Sequence, residues 1–483
     1  MTLASRIAHN SIISAITRVL SLGIALINVG LITRYLGTNG FGDYTTVLAF
    51  YFLITAVSDF GINQILTREI SRPEAKEKKI MADVLGLRLT SVSLLSIIGV
   101  LGVLFLPYSF VIKQGIWIMF LALLFSSLSQ TLNSLFQKKL VMNRLAWREL
   151  IGRFIQLGIS YWAIKSNLGL LGILLAMVIS FLFVLLASWQ LANKYTKISF
   201  SFDFAYWKYF LKESAPLGIA AFVNFLYFKA DTILLSLLQN SHDVGIYGSA
   251  YKVLESLIYF PFMFMGLVMP VFSYNIFYRP KNFLRVASRT LKALWLVTLP
   301  LVILLFFLAP EAIRVIAGPG FEEATLVLRI LSLALGAIFL AHFFNSILIV
   351  VNQQKLLLWI LTATAGLSLV LNFILIPYYS YMAVAVVSTL CEVLVTFLVY
   401  WFSRRWGVGK GEGWEPLPII SMLVASLGMI LILLSLDMLN LSLWLRVIVK
   451  GLVGSSTYLI LIFSTRGLKL AEVKELLAFS KNG

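Results

Sequence analysis

About fourteen apolar runs, each long enough to cross a bilayer, follow one another along this chain, and no other feature narrows its fold as far. Roughly 20 apolar residues make a crossing helix. The runs cover approximately 8 to 33, 41 to 66, 81 to 106, 115 to 137, 149 to 164, 169 to 192, 214 to 238, 244 to 274, 289 to 309, 323 to 350, 356 to 376, 382 to 403, 417 to 436 and 441 to 463. In hydrocarbon every backbone N–H and C=O must find its partner inside the segment, so runs of this length predict helices. Composition agrees, with 60% of the 483 residues hydrophobic and 12% charged, against about 25% charged in soluble domains. The expected fold class is an all-α polytopic membrane protein. The segment from Ala8 to Leu31 is too long for a signal-peptide core and no small-residue cleavage site follows it, so it reads as the first span.

A net charge of +18 raises the question of nucleic acid, and the location of the charge answers it. With the N-terminus inside, one set of loops carries Arg68, Arg72, Lys76, Lys78 and Lys79, then Lys138, Lys139, Arg144 and Arg148, then Lys194, Lys197, Lys208 and Lys212, and later Arg279, Lys281, Arg285, Arg404, Arg405 and Lys410. The opposite set carries Arg34, Lys113, Lys165 and Arg314. Such a bias predicts a multi-pass cell-membrane protein with both termini cytoplasmic. It assigns the basic residues to topology and anionic headgroups, about 1 kcal/mol each, and excludes nucleic acid as a partner.

Chemistry is sparse. Cys391 is the only cysteine, so disulfides and cysteine-held metal are excluded. His9, His242 and His342 lack metal-ligand spacing, and no metal is expected. GVGKGEG at 407 to 413 has the wrong spacing for a phosphate loop, so ATP hydrolysis is not expected. No connection exceeds about twenty residues, which leaves no room for a soluble catalytic domain; the chain reads as a transporter, not an enzyme.

Charges inside the spans point to function, because each costs roughly 2.5 kcal/mol or more at depth. YFKADTILL at 227 to 235 sets Lys229 and Asp231 into a run otherwise uncharged from Ala215 to Leu238. Lys229 lies about 13 and 21 Å from those ends, and two residues apart on a helix the pair points about 200° away from each other. Span one aligns Ser14, Arg18, Ser21, Ala25 and Asn28 on one face, and span four aligns Ser126, Gln130, Asn133 and Gln137. Span eight carries Lys252, Glu255 and Tyr259 on one face; span twelve carries Ser388, Glu392 and Thr396. Asp59 and Arg88 sit about a third of the way into spans two and three. So many charges argue for a hydrated path. Arg18, Arg88, Lys229 and Lys252, with Asn28, Gln130 and Asn133, are the candidate substrate ligands, cationic as phosphate requires. Asp59, Asp231, Glu255 and Glu392 are the candidates to balance that charge or titrate. Arg329, Arg446 and Lys450, near span ends, read as interfacial anchors.

An internal repeat is faintly legible: LGTNGFGDY at 36 to 44 is echoed by LLQNSHDVGIY at 237 to 247, with the kernel Gly42-x-Tyr44 against Gly245-x-Tyr247. An even number of spans separates the copies, so the repeat would be parallel. Two segments look amphipathic and interfacial: the linker holding Phe202, Phe204, Trp207, Lys208, Phe210, Leu211 and Lys212, and the tail GLKLAEVKELLAF.

RYLGTNGFGDYTTVLAF followed by SDFGINQILTREISR, and later ADTILLSLL, VGIYGSAYKVLESLIYFP and VMPVFS, resembles the polysaccharide-transporter branch of the multidrug/oligosaccharidyl-lipid/polysaccharide flippase superfamily. The resemblance implies two six-helix lobes, 1–193 and 214–403, related by a pseudo-two-fold and forming a V around a central cavity. An interfacial linker (194–213) would join them, and 404–483 would supply two further helices and the tail. It implies movement of polyprenyl-diphosphate-linked oligosaccharide from the cytoplasmic to the outer leaflet, with Arg18 and Lys229 facing the diphosphate and Asp231 as the acid of the D-x-x-L-L pattern. Span two offers only Asp59 where related lipid II flippases carry lumen arginines. The nearest alternative is an ion-coupled multidrug extruder of the same fold; a membrane-embedded glycosyltransferase or polymer ligase stands further off. No cofactor is expected, and the coupling ion, proton or sodium, is left open. Expected partners are the lipid-linked glycan, membrane lipids and other polysaccharide-assembly membrane proteins around a monomeric chain. Rocking lobes need deformable helices, and Pro261 in span eight is the expected hinge.

Overall fold

Because lipid offers no hydrogen bonds, the chain closes its own at every crossing, and the result is helix after helix. The structure is a computed structural model that describes residues 3–410 and 412–468; the side chains of 3–15, Phe277 and Pro280 lie outside the description, as does the amphipathic tail beyond residue 468. The helices are α1 (Leu3–Asp59), α2 (Ile62–Ile70), α3 (Glu77–Leu104), α4 (Phe110–Lys138), α5 (Met142–Lys165), α6 (Gly169–Asn193), α7 (Phe204–Leu238), α8 (Ser241–Tyr278), α9 (Pro280–Phe307), α10 (Ala309–Ile316), α11 (Ala324–Val350), α12 (Gln354–Ser403), α13 (Ile419–Asp437) and α14 (Leu443–Ser464). No strand occurs among the described residues.

Among the described residues eleven helices are long and apolar enough to cross a membrane, and two of them are of double length. In α1 the two halves meet at Gly37, whose φ of 63° needs no Cβ penalty. In α12 they meet at Ser380, φ 48°, where the serine hydroxyl donates to Asp243 Oδ2. The remaining crossing is α5, left out of the apolar set by Arg148, Glu149, Arg153 and Lys165. With it the crossings number fourteen, as the sequence predicts.

Two compact units divide the chain. One holds the residues up to Gly248 with Ile316–Gly320 and Asn372–Ser380; the other holds Ser249–Val315, Phe321–Leu371 and the chain from Tyr381 onward. The first unit therefore takes in α7 and the start of α8. Its core gathers Leu66, Leu85, Leu132, Phe136 and Phe210 from α2, α3, α4 and α7. The segment 204–213 is the first stretch of α7: Asp203 caps it by accepting from Tyr206 N at 3.1 Å, and the buried Trp207 donates its indole N–H to Asp83 O at 2.8 Å. In the second unit α13 and α14 pack on α9 around Met422, Ala425, Met429, Tyr458 and Ile462. Helix α8 runs unbroken through Pro261 and Pro270.

The two copies of the sequence repeat meet inside the first unit. A Cβ added to Gly42 would stand 1.7 Å from the Ser241 carbonyl oxygen, and one added to Gly245 would stand 2.1 Å from that of Thr38. Each kernel glycine thus lets its own helix touch the backbone that leads into the other copy. Ser241 Oγ adds a hydrogen bond to Asp43 Oδ1 at 2.5 Å. Gly42→Ala and Gly245→Ala are each expected to cost about 1–3 kcal/mol through overpacking. Gly102→Ala, with nothing within 4 Å, should be neutral or gain up to about 1 kcal/mol of helix propensity. Melting temperatures of the three purified variants check the contrast.

Candidate functional site

An ionisable side chain within a span must find an opposite charge, hydrogen bonds or water. Sorting the charges by what answers them separates structural pins from candidate ligands. Arg88 is fully buried and answered within the protein: it donates to Asp59 Oδ1 at 2.9 Å and to the Ser58 carbonyl. Asp59 also accepts from Asn63 Nδ2 at 2.7 Å, so the group ties α3 to the end of α1. Lys252 and Glu255 pair at 2.7 Å one turn apart on α8. Asp231 is buried; its Oδ2 accepts from Tyr247 OH at 2.6 Å and its Oδ1 from Thr232 N at 2.6 Å. Glu392 is buried on α12.

The polar stripe of α4 divides in the same way. Ser126 Oγ shares a 3.0 Å hydrogen bond with Tyr51 OH. Asn133 Oδ1 accepts from Arg148 at 3.4 Å, and Arg148 also donates to Ser188 Oγ and lies 4.6 Å over the Phe136 ring. Arg148, assigned to a cytoplasmic loop by the charge asymmetry, is corrected: it lies one and a half turns into α5, buried. Gln130 is half-buried on α4, and Asn28 is buried on α1 with its Oδ1 lacking a hydrogen-bond partner among the described residues.

Two arginines stand outside these pairs. Arg18 is exposed on α1, about 22 Å along from Leu3 and about 28 Å from the Gly37 bend. Among the described residues it has no carboxylate within ion-pair distance. Arg153 is likewise exposed at the centre of α5, its guanidinium donating only to Gln156 Oε1, at 3.2 Å. Both arginines act on Glu149, and Arg153 also acts on Tyr51. Helix α1 packs along both α5 and α7, and its contact with Lys229 falls at Phe52, beyond the Gly37 bend from Arg18. On α7, Lys229 is half-buried, its ammonium 5.3 Å from the Phe52 ring centroid; it also acts on Asp231.

Sequence reasoning did not single out Glu149 or Arg153. The signal was present: Glu149, Arg153, Gln156 and Ser160 recur at steps of four, three and four, one polar face of a crossing helix. No group of three or more His, Cys, Asp or Glu able to hold a metal occurs among the described residues.

The interfacial assignment of Lys450 is corrected. Its ammonium is 1% exposed and bridges Glu311 Oε1 at 2.8 Å and Asp437 Oδ1 at 2.5 Å. Arg446 stands 3.8 Å from the same Glu311 oxygen. The network fastens α13 and α14 to the corner between α9 and α10.

Comparison with solved structures places this architecture among known folds. The structure of the lipid II flippase MurJ in an inward closed conformation matches with a TM-score of 0.78 at 16% identity, over 95% of this chain and 99% of that one. An inward-facing multidrug resistance MATE transporter matches with a TM-score of 0.63 at 13% identity, over 81% and 94%. A superfamily transporter from Pyrococcus furiosus, whose binding pocket is described as having reverse polarity, gives 0.57 at 13%, over 83% and 95%. No curated protein matches the sequence. At 13–16% identity these matches show a shared fold, that of multi-pass membrane transporters. Residues 7–275 match the model of the polysaccharide biosynthesis protein family and residues 216–374 that of the MatE family. The chain belongs to the polysaccharide biosynthesis protein family.

Proposed function

We propose that the protein is a flippase that carries polyprenyl-diphosphate-linked oligosaccharide from the cytoplasmic to the outer leaflet by alternating access. The observation that carries the reading is Arg18, an arginine in mid-span with no carboxylate within ion-pair distance among the described residues, reached by Glu149 only from further off. A fixed cation in a low-dielectric wall calls for an anion from outside the protein, and a diphosphate is the anion that a lipid-linked glycan brings. The fold shared with a lipid II flippase supports the same reading. Multidrug extrusion is less well served, since unanswered arginines repel cationic drugs.

In this reading Arg18 and Lys229 hold the diphosphate, Asn28, Gln130 and Asn133 take sugar or phosphate oxygens, and Asp231, Glu255, Glu392 and Asp59 balance the charge as the protein turns over. Arg88 and Lys252 contribute after release from the pairs they make in this conformation. Pro261, which cannot close its backbone hydrogen bond, is the hinge. The loop asymmetry puts both termini in the cytoplasm, and reporter fusions finding Lys76 or Arg404 outside would reverse the direction of transport. The central test is reconstitution in liposomes with a fluorescent lipid-linked oligosaccharide and an external quencher. Protein-dependent access of the whole pool to the quencher is expected; half the pool protected, as in protein-free liposomes, would refute the function.

A further inference from the structure

Arg153 sits eleven residues after Met142 and twelve before Lys165, about 17 Å from either end of α5. An arginine stem spans less than about half of that, so its charge does not reach a headgroup. Nor does it face the lipid tails with the helix's apolar side, which carries Trp147, Ile151, Phe154, Tyr161 and Trp162, all exposed. Glu149, Arg153, Gln156 and Ser160 occupy a separate face. Two of these four have few protein partners. Ser160 is fully buried with no hydrogen-bond partner for Oγ among the described residues. Among the described residues Arg153 has one hydrogen bond, to Gln156, and no ion pair within 4 Å.

We propose that the α1–α5 seam of the first unit is the diphosphate site, with Arg153 and Arg18 as its two guanidinium ligands and Glu149 as the internal counter-ion that the substrate replaces. The inference deepens the flippase reading above and rests on it. A guanidinium offers parallel N–H donors matched to two phosphate oxygens, so two of them suit two linked phosphoryl groups where one would serve a monophosphate. Gln156 Oε1 holds one Arg153 nitrogen at 3.2 Å and so orients the fork. Glu149 lies in the attraction of Arg18, Arg148 and Arg153 together. It offsets their charge while the site is empty and repels an incoming diphosphate.

Opposite signs are therefore expected from two substitutions on one helix face. The measurement is calorimetric titration of the full chain in nanodiscs with farnesyl diphosphate, farnesyl phosphate and farnesol. Wild type should prefer the diphosphate. Arg153→Gln should weaken diphosphate binding about tenfold or more and narrow its preference over the monophosphate, and Arg153→Lys should fall between. Glu149→Gln should strengthen diphosphate binding severalfold. If wild type prefers the diphosphate and Arg153→Gln binds it equally well, the seam is not the site, although the flippase reading stands. A wild type that does not distinguish diphosphate from farnesol overturns that reading and the seam with it. Should Arg153→Gln not fold, Glu149→Gln decides: unchanged or weaker diphosphate binding refutes the counter-ion role and the site.

Discussion

Replacing Lys450 by methionine should lower the stability of the protein by about 3–5 kcal/mol, the largest effect expected of any single substitution away from the transport path. The ammonium is 1% exposed and bridges Glu311, itself 5% exposed, and the end of α13 at Asp437. Its removal leaves the Glu311 carboxylate buried with only Arg446, at 3.8 Å, to answer it. Much of the expected loss is thus the cost of the stranded acid, not the worth of the pair. The double variant Lys450→Met with Glu311→Gln should recover most of it, because no buried charge remains. Denaturant unfolding in detergent of the two variants and wild type checks both halves. A single substitution costing under about 1 kcal/mol would show that water reaches the group, as at surface ion pairs.

The second large effect concerns transport. Lys229→Ala should lose about 1.5–3 kcal/mol of a charge-assisted contact, roughly ten- to hundredfold in apparent affinity for the lipid-linked substrate. Lys229→Arg should keep much of the activity, since what counts is positive charge where water is scarce. The competing account makes Lys229 the counter-ion of Asp231, on which it acts. Asp231, though, already accepts from Tyr247 OH and Thr232 N, each at 2.6 Å. If the competing account holds, Lys229→Ala chiefly destabilises, and adding Asp231→Asn restores both folding and transport. Liposome transport at matched protein content decides. Full activity in Lys229→Ala, or rescue by the second change, would rule out a direct role at the diphosphate.

Much of the architecture could be read without coordinates, for a plain reason. A bilayer imposes one length and one polarity on whatever crosses it, so the fourteen crossings are written locally, even where Gly37 and Ser380 join two of them into one long helix. The repeat kernel was legible too, as Gly-x-Tyr twice. Its reason was not, because the 1.7 Å and 2.1 Å approaches join residues some two hundred positions apart. Span five shows the limit from the other side. Its run, 149 to 164, is the shortest of the fourteen, because Glu149 and Arg153 put charge into it.

Sequence alone determined that this is a polytopic helical membrane protein whose spans carry more charge than structure requires. It also determined which side chains were candidates, Arg18, Lys229 and Asp231 among them. Only the tertiary structure decided which charges are answered. Arg88 and Arg18 read alike in the sequence as charges within spans, yet Arg88 ends against Asp59, whereas Arg18, like Arg153, has no carboxylate within ion-pair distance among the described residues and is reached by Glu149 only from further off. The difference is physical. The cost of a charge in a membrane depends on what lies within about 4 Å of it, and those neighbours come from other helices, whose packing a linear pattern does not contain.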